Sequence, residues 1–122
     1  MSGQEYSYVQ PVRHTRMGGL TKPIAVCDAC GVVRPHHIRR SKSGTHGEAY
    51  YSHPHPLSFL ILERTNTGRK SFSIEGQPSD RVRQHLEVVG QAWDRHRISY
   101  EAAYEDIVSE LGETFGEAGE EA

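Results

Sequence analysis

Apolar and polar positions follow two periods along this chain, and the change comes near Pro78. Before it, short β-prone runs are separated by glycine, proline and asparagine. Ile24, Ala25 and Val26 read as a strand entering a cysteine turn, and Val32 and Val33 as the strand leaving it. Residues 48–52 are β-prone and lead into His53-Pro54-His55-Pro56. Residues 57–64 form the most apolar run, with apolar side chains at both parities, the pattern of a central strand covered on both faces. Asn66, Thr67 and Gly68 supply turn chemistry, and residues 70–75 then alternate with Phe72 and Ile74 on one side, so the pair reads as a β-hairpin. Past Pro78, with Ser79 or Asp80 as N-cap, Val82, Leu86, Val89 and Trp93 recur at i, i+4, i+7 and i+11, which is one face of a helix. A second helix starts near Ser99, with Tyr100, Ala103, Tyr104, Ile107, Leu111 and Phe115 on its apolar stripe and Glu101, Glu105, Asp106 and Glu110 outside.

Strands first and helices last argue for an α+β domain: a small antiparallel sheet with the C-x-x-C turn, followed by two C-terminal helices. Residues 1–23 are polar and punctuated by glycine and proline, with a weak strand signal over residues 6–10, and are expected as a partly ordered basic arm. Residues 24–115 form the single domain, and residues 116–122 an acidic tail expected to fray. No internal repeat is visible.

A chain of 122 residues with 35% hydrophobic content supports one modest core, which a structural metal would help to hold. No stretch approaches the roughly 18 apolar residues that span a bilayer. The first six residues lack the basic-then-apolar pattern of a secretory signal, and two cysteines three positions apart are poor material for a disulfide framework. Both points favour a reducing, cytoplasmic setting and metal or redox use of the thiols. The net charge of −2 hides a gradient. Residues 1–48 carry seven Lys/Arg against three Asp/Glu, and residues 84–122 carry two against ten. A basic front suits a polyanion, while the acidic back reads as a solvated helix face.

The candidate chemistry lies between Val26 and Pro56. Cys27 and Cys30 are the only cysteines, and His36, His37, His46, His53 and His55 follow in the same window. Two thiolates separated by two residues wrap one ion from a tight turn, and Gly31 permits an unusual backbone conformation beside them. Ala25-Val26-Cys27-Asp28-Ala29-Cys30-Gly31-Val32-Val33 resembles the zinc knuckle of zinc-ribbon and treble-clef proteins. That resemblance implies a structural Zn2+ with a second ligand pair further along the chain. No second cysteine pair exists, so His53 and His55, at the end of a strand, are the best candidates, although one intervening residue is shorter than the usual histidine spacing. His36 and His37 are rival donors, as are His46 and the helical pair His85 and His96. The bland alternative is two free thiols among solvent-facing histidines. A redox C-x-x-C would sit at a helix start in a βαβ unit, which this sequence does not provide.

Arg34, His36, His37, Arg39, Arg40 and Lys42 crowd into nine residues after the turn, in a segment expected to be a loop. With Arg13, Arg16 and Lys22 they make a phosphate-facing patch, to which Tyr50 and Tyr51 add a stacking surface. The first expectation is therefore a small zinc-binding regulatory module contacting nucleic acid, or a nucleoprotein machine such as RNA polymerase, through this basic loop. The second is a protein–protein interaction or assembly subunit, of the kind found among small viral structural or accessory proteins. Its contact would run through helices 79–97 and 99–115, with Trp93 and the tyrosines. A metal-dependent nuclease resembling the HNH type, with His36 or His37 as general base, is a third. Helix 1 lacks the carboxylate or asparagine pattern that would hold its catalytic metal, and no phosphate loop, His-Glu-x-x-His or nucleophile elbow is present.

Overall fold

A computed structural model describes residues 8–15, 19–40 and 46–114 of the chain. The elements in order are β1 (Tyr8–Thr15), β2 (Gly19–Cys27), β3 (Gly31–Val33), β4 (His37–Arg40), β5 (His46–His53), β6 (Ser58–Thr65), β7 (Lys70–Glu75), α1 (Asp80–Asp94), α2 (Tyr100–Leu111) and β8 (Glu113–Thr114). The fold is α+β, with both helices after the seven longer strands. The strands divide into two sheets, a three-stranded one ordered β1-β5-β4 and a five-stranded one ordered β7-β6-β2-β3-β8. Every pairing is antiparallel except that of β8, which runs parallel to β3.

Parity within β2, β3 and β6 sets the layers. Ile24, Val26, Val32, Leu60 and Leu62 face one way and join Val82, Leu86, Val89 and Trp93 of α1 and Ala103 and Ile107 of α2 in one core. Their neighbours Ala25, Cys27, Val33, Phe59 and Ile61 face the other way and pack with Ala49 and Tyr51 of β5. The five-stranded sheet is thus the middle of three layers, with helices on one face and the smaller sheet on the other. Residues 58–62 of β6 are all buried, as a central strand covered on both faces requires.

Both helices begin at serine caps. Ser79 Oγ accepts from the Val82 N–H at 3.4 Å, and Ser99 Oγ from the Ala102 N–H at 3.1 Å. The periodic residues of α1 are all buried, together with Gly90, and α2 buries Ala103 and Ile107. Gly112, at φ 90°, ends α2, with its N–H donating to the Val108 carbonyl.

Three features depart from the sequence expectations. Residues 8–15 and 19–23, within the stretch expected as an arm, lie in β1 and β2. Residues 37–40, expected within a loop, form β4, an edge strand paired with β5. Trp93, which only the assembly-subunit alternative placed at a partner contact, is 5% exposed. Its Nε1–H donates to the carbonyls of Ser71 at 3.0 Å and Glu63 at 3.2 Å, and Lys70 Nζ lies 4.2 Å over its ring. The indole therefore ties α1 to the β6–β7 hairpin. Lys42, Arg16, Phe115 and the tail 116–122 lie outside the described residues. No helix among the described residues is long and apolar enough to cross a membrane.

Trp93→Phe keeps an aromatic ring in the core but removes the donor shared by Glu63 and Ser71. The expected loss is about 1–2 kcal/mol of unfolding free energy in urea, with an unchanged m-value.

Candidate metal centre

The site is assembled from facing strands of the two sheets and the bends that follow them. Alternation along β5 points Ala49, Tyr51 and His53 toward the middle layer, and alternation along β2 points Ala25 and Cys27 back at them. Cys27 is 2% exposed and His53 6%. Beyond His53, Pro54 has no N–H with which to continue the ladder, and the chain bends toward buried Leu57. That bend returns His55 to the same point from a second direction, with its ring centroid 5.4 Å from that of His53 at an interplanar angle of 70°. The short spacing of this histidine pair is therefore accommodated by the proline bend. On the other side, the turn after β2 carries Cys30 to the same place.

Ligand atoms of Cys27, Cys30, His53 and His55 all lie within 4.8 Å of one another. His55 Nδ1 stands 3.8 Å from Cys27 Sγ and 4.0 Å from Cys30 Sγ. Donors bound about 2.0–2.3 Å from one tetrahedral ion stand roughly 3.3–3.8 Å apart, so the cluster needs only a small contraction to close on an ion. Two thiolates and a divalent cation would sum to zero charge, which is compatible with the burial of Cys27 and His53. The four residues can hold a metal ion. Among the described residues no second group of three or more His, Cys, Asp or Glu side chains is gathered in this way.

The turn between the cysteines also touches both helices. Asp28 accepts the Ser79 N–H on both carboxylate oxygens, at 3.0 and 3.2 Å, and so holds the N-cap residue of α1. Gly31, at φ +88°, lies so close to the end of α2 that a Cβ would come within 2.5 Å of the Leu111 carbonyl oxygen. The adjoining Val32 N–H donates to the Gly112 carbonyl at 2.8 Å. A glycine is required there by both the dihedral and the space.

The other histidines lie elsewhere. His85 Nε2 faces Asp106 Oδ1 of α2 at 3.4 Å, and His96 is exposed just past α1 with φ 61°. His36 and His37 are exposed at the start of β4, and among the described residues no group of metal-ligating side chains includes them. His46 opens β5.

The basic run is divided rather than presented as one patch. Arg34 Nε donates to Glu113 Oε2 at 2.7 Å, and the Tyr104 hydroxyl donates to the same oxygen at 2.6 Å. The Tyr104 hydroxyl and the Arg34 guanidinium hold the Glu113 carboxyl below the usual carboxylate range. Register on β5 places His37 opposite Tyr50 and Arg39 opposite Glu48, on the outer face of the small sheet. Tyr50 donates to Glu48 there, and its ring lies 5.8 Å from that of His37. Ile38 and Arg40 take the other parity. Tyr50 and Tyr51 likewise point to opposite faces, so they do not form one stacking surface.

Asp28 and Glu113 were not singled out by sequence. A carboxylate inside a tight turn is a ready acceptor, but its partner at Ser79 is visible only in the fold. Comparison with protein-family models, curated proteins and solved structures finds no match to this chain.

Native mass spectrometry with elemental analysis is expected to find one metal ion per chain. Cys27→Ser and His53→Ala should each lose it, while His36→Ala and His37→Ala should keep it. Retention by Cys27→Ser would place the ion elsewhere.

Proposed function

We propose that Cys27, Cys30, His53 and His55 hold a structural zinc ion. We further propose that the zinc-stapled domain is a binding module whose partner is nucleic acid, alone or within a nucleoprotein machine such as RNA polymerase. A two-sulfur, two-nitrogen donor set suits Zn2+, and four protein donors leave no open position for a reacting water. The likeness of residues 25–33 to a zinc knuckle supports the same ion. A site that joins two sheets and touches both helices fits an architectural role.

The nucleic-acid reading is carried by β4. It is an edge strand whose four residues, His37, Ile38, Arg39 and Arg40, are all exposed, with exposed His36 just before it. Edge strands that carry cations resist pairing with other strands and present their charges outward. The acidic residues of α2 lie on another element, so a chain of net charge −2 still offers a locally cationic strand.

Binding of the zinc-loaded protein to labelled DNA and RNA should weaken steeply with salt, as counterion release demands. Changing Arg39 and Arg40 together to glutamate should abolish binding near physiological salt while zinc content stays at one per chain. Replacing both with glutamine should reduce the slope of log K against log salt by about 2. A complex with neither nucleic acid at low salt would contradict this function. Salt-resistant capture of a protein partner would favour an assembly subunit instead.

A further inference from the structure

Where the layer between the sheets runs on from the metal centre, it opens into a cleft of about 690 Å3. That volume falls within the roughly 300–1,000 Å3 of small-ligand sites. The cleft exists because β3 is only three residues long. After Val33 the chain leaves the middle sheet for β4, so β3 does not run alongside residues 21–24 of β2, and α2 stands over the gap. Ala25 and Ala49 line it with methyl groups only, which leaves the space unfilled.

The polar groups on its walls come from segments far apart in sequence. Lys22, Arg34 and Arg40 bring positive charge from β2, the β3–β4 connection and β4. Tyr51, Tyr100 and Tyr104 bring three phenols. Burial raises the pKa of all three, that of Tyr104 to about 12, so they stay neutral at physiological pH. Lys22 Nζ already covers one face of Tyr100, 4.8 Å from its centroid. Tyr104 and Arg34 are fixed relative to each other because both bond to Glu113 Oε2. One carboxylate thus presets an aromatic ring and a guanidinium side by side, which reduces the ordering cost of binding. Glu101 and Glu105 line the cleft from α2, where carboxylates can accept from an exocyclic amine. A planar ring bearing an amine, with an anion attached, satisfies the apolar lining, the phenols, the cations and the acids together.

We infer that this cleft takes one unstacked, amine-bearing nucleobase with its phosphate, the base against Tyr104 and the phosphate toward Arg34 and Arg40. Single-stranded nucleic acid or a free nucleotide supplies the same chemistry. The strand as source rests on the nucleic-acid reading of β4, whose Ile38 and Arg40 also line the cleft. A base held in a duplex is not available to it.

The test is equilibrium binding by the full zinc-loaded chain of three probes: a short adenine-rich single strand, its duplex, and adenosine monophosphate. The single strand should bind about tenfold or more tighter than the duplex, and Tyr104→Ala should remove that preference while Tyr104→Phe, which keeps the ring, retains most of it. Arg39→Glu, on the outer face of the small sheet, should weaken strand and duplex alike. Matching zinc content and urea transitions certify each variant. Should Tyr104→Ala fail to fold, photo-crosslinking of the wild-type chain to a bromouracil-substituted adenine-rich strand replaces it, and adducts must map to α2 near Tyr100 and Tyr104. Equal affinity for strand and duplex, unchanged in Tyr104→Ala, overturns the cleft and leaves β4 as the nucleic-acid surface. Monophosphate binding that Tyr104→Ala removes, with no oligonucleotide bound, upholds the cleft for a free nucleotide and defeats the β4 reading. Binding of none of the three overturns both.

Discussion

Cys27 and His53 project toward each other from strands of two different sheets, and an ion held between them would join those sheets directly. Strand β5 of the small sheet contributes Ala49 and Tyr51 as buried apolar side chains to the shared layer. Burying a large apolar side chain is worth about 1.5–3 kcal/mol, and an alanine less. A structural zinc in small domains contributes roughly 10–16 kcal/mol in apparent binding free energy. On these magnitudes the proposed ion would outweigh the burial of those two side chains in docking the small sheet. The opposite core, with eleven buried residues from three strands and two helices, has apolar material enough to hold the helices without it.

The two halves are nevertheless coupled. Asp28 carries the geometry of the cysteine turn to the first N-terminal groups of α1, and Gly31 carries it to the last turn of α2. Closing the turn on an ion therefore fixes the start of one helix and the end of the next, while the β5–β6 bend fixes the register of the central strand. Gly31 is constrained from both sides, since it needs a positive φ and has backbone oxygens where a side chain would go.

Features encoded locally were legible in the sequence. The period of Val82, Leu86, Val89 and Trp93 marked the buried face of α1, and the unbroken apolar run marked β6 as doubly covered. His53 and His55 were the best partners for the cysteines because a strand ends there, yet spacing alone kept the other histidines as rivals. What selects them is parity on β5 and the bend at Pro54. The parts that depended on non-local pairing were not legible. β4 is a strand because β5 lies beside it, and nothing in His37-Ile38-Arg39-Arg40 signals that on its own. Once it is a strand, alternation splits a basic cluster that is continuous in sequence between two faces. Trp93 had the right period for a core position, and only its donation to two hairpin carbonyls shows that the indole is used internally.

The same division of β4 separates two surfaces, an outer one with His37 and Arg39 and an inner one with Ile38 and Arg40 at the cleft. Both depend on the small sheet being held at its observed position, which the proposed four-donor site would secure. X-ray absorption at the zinc edge of the purified chain tests that site most directly. Two sulfurs at about 2.3 Å and two nitrogens at about 2.0–2.1 Å are the predicted shell. A shell of light atoms without sulfur, or a chain with no bound zinc and a Cys27–Cys30 disulfide, would contradict the account at its centre.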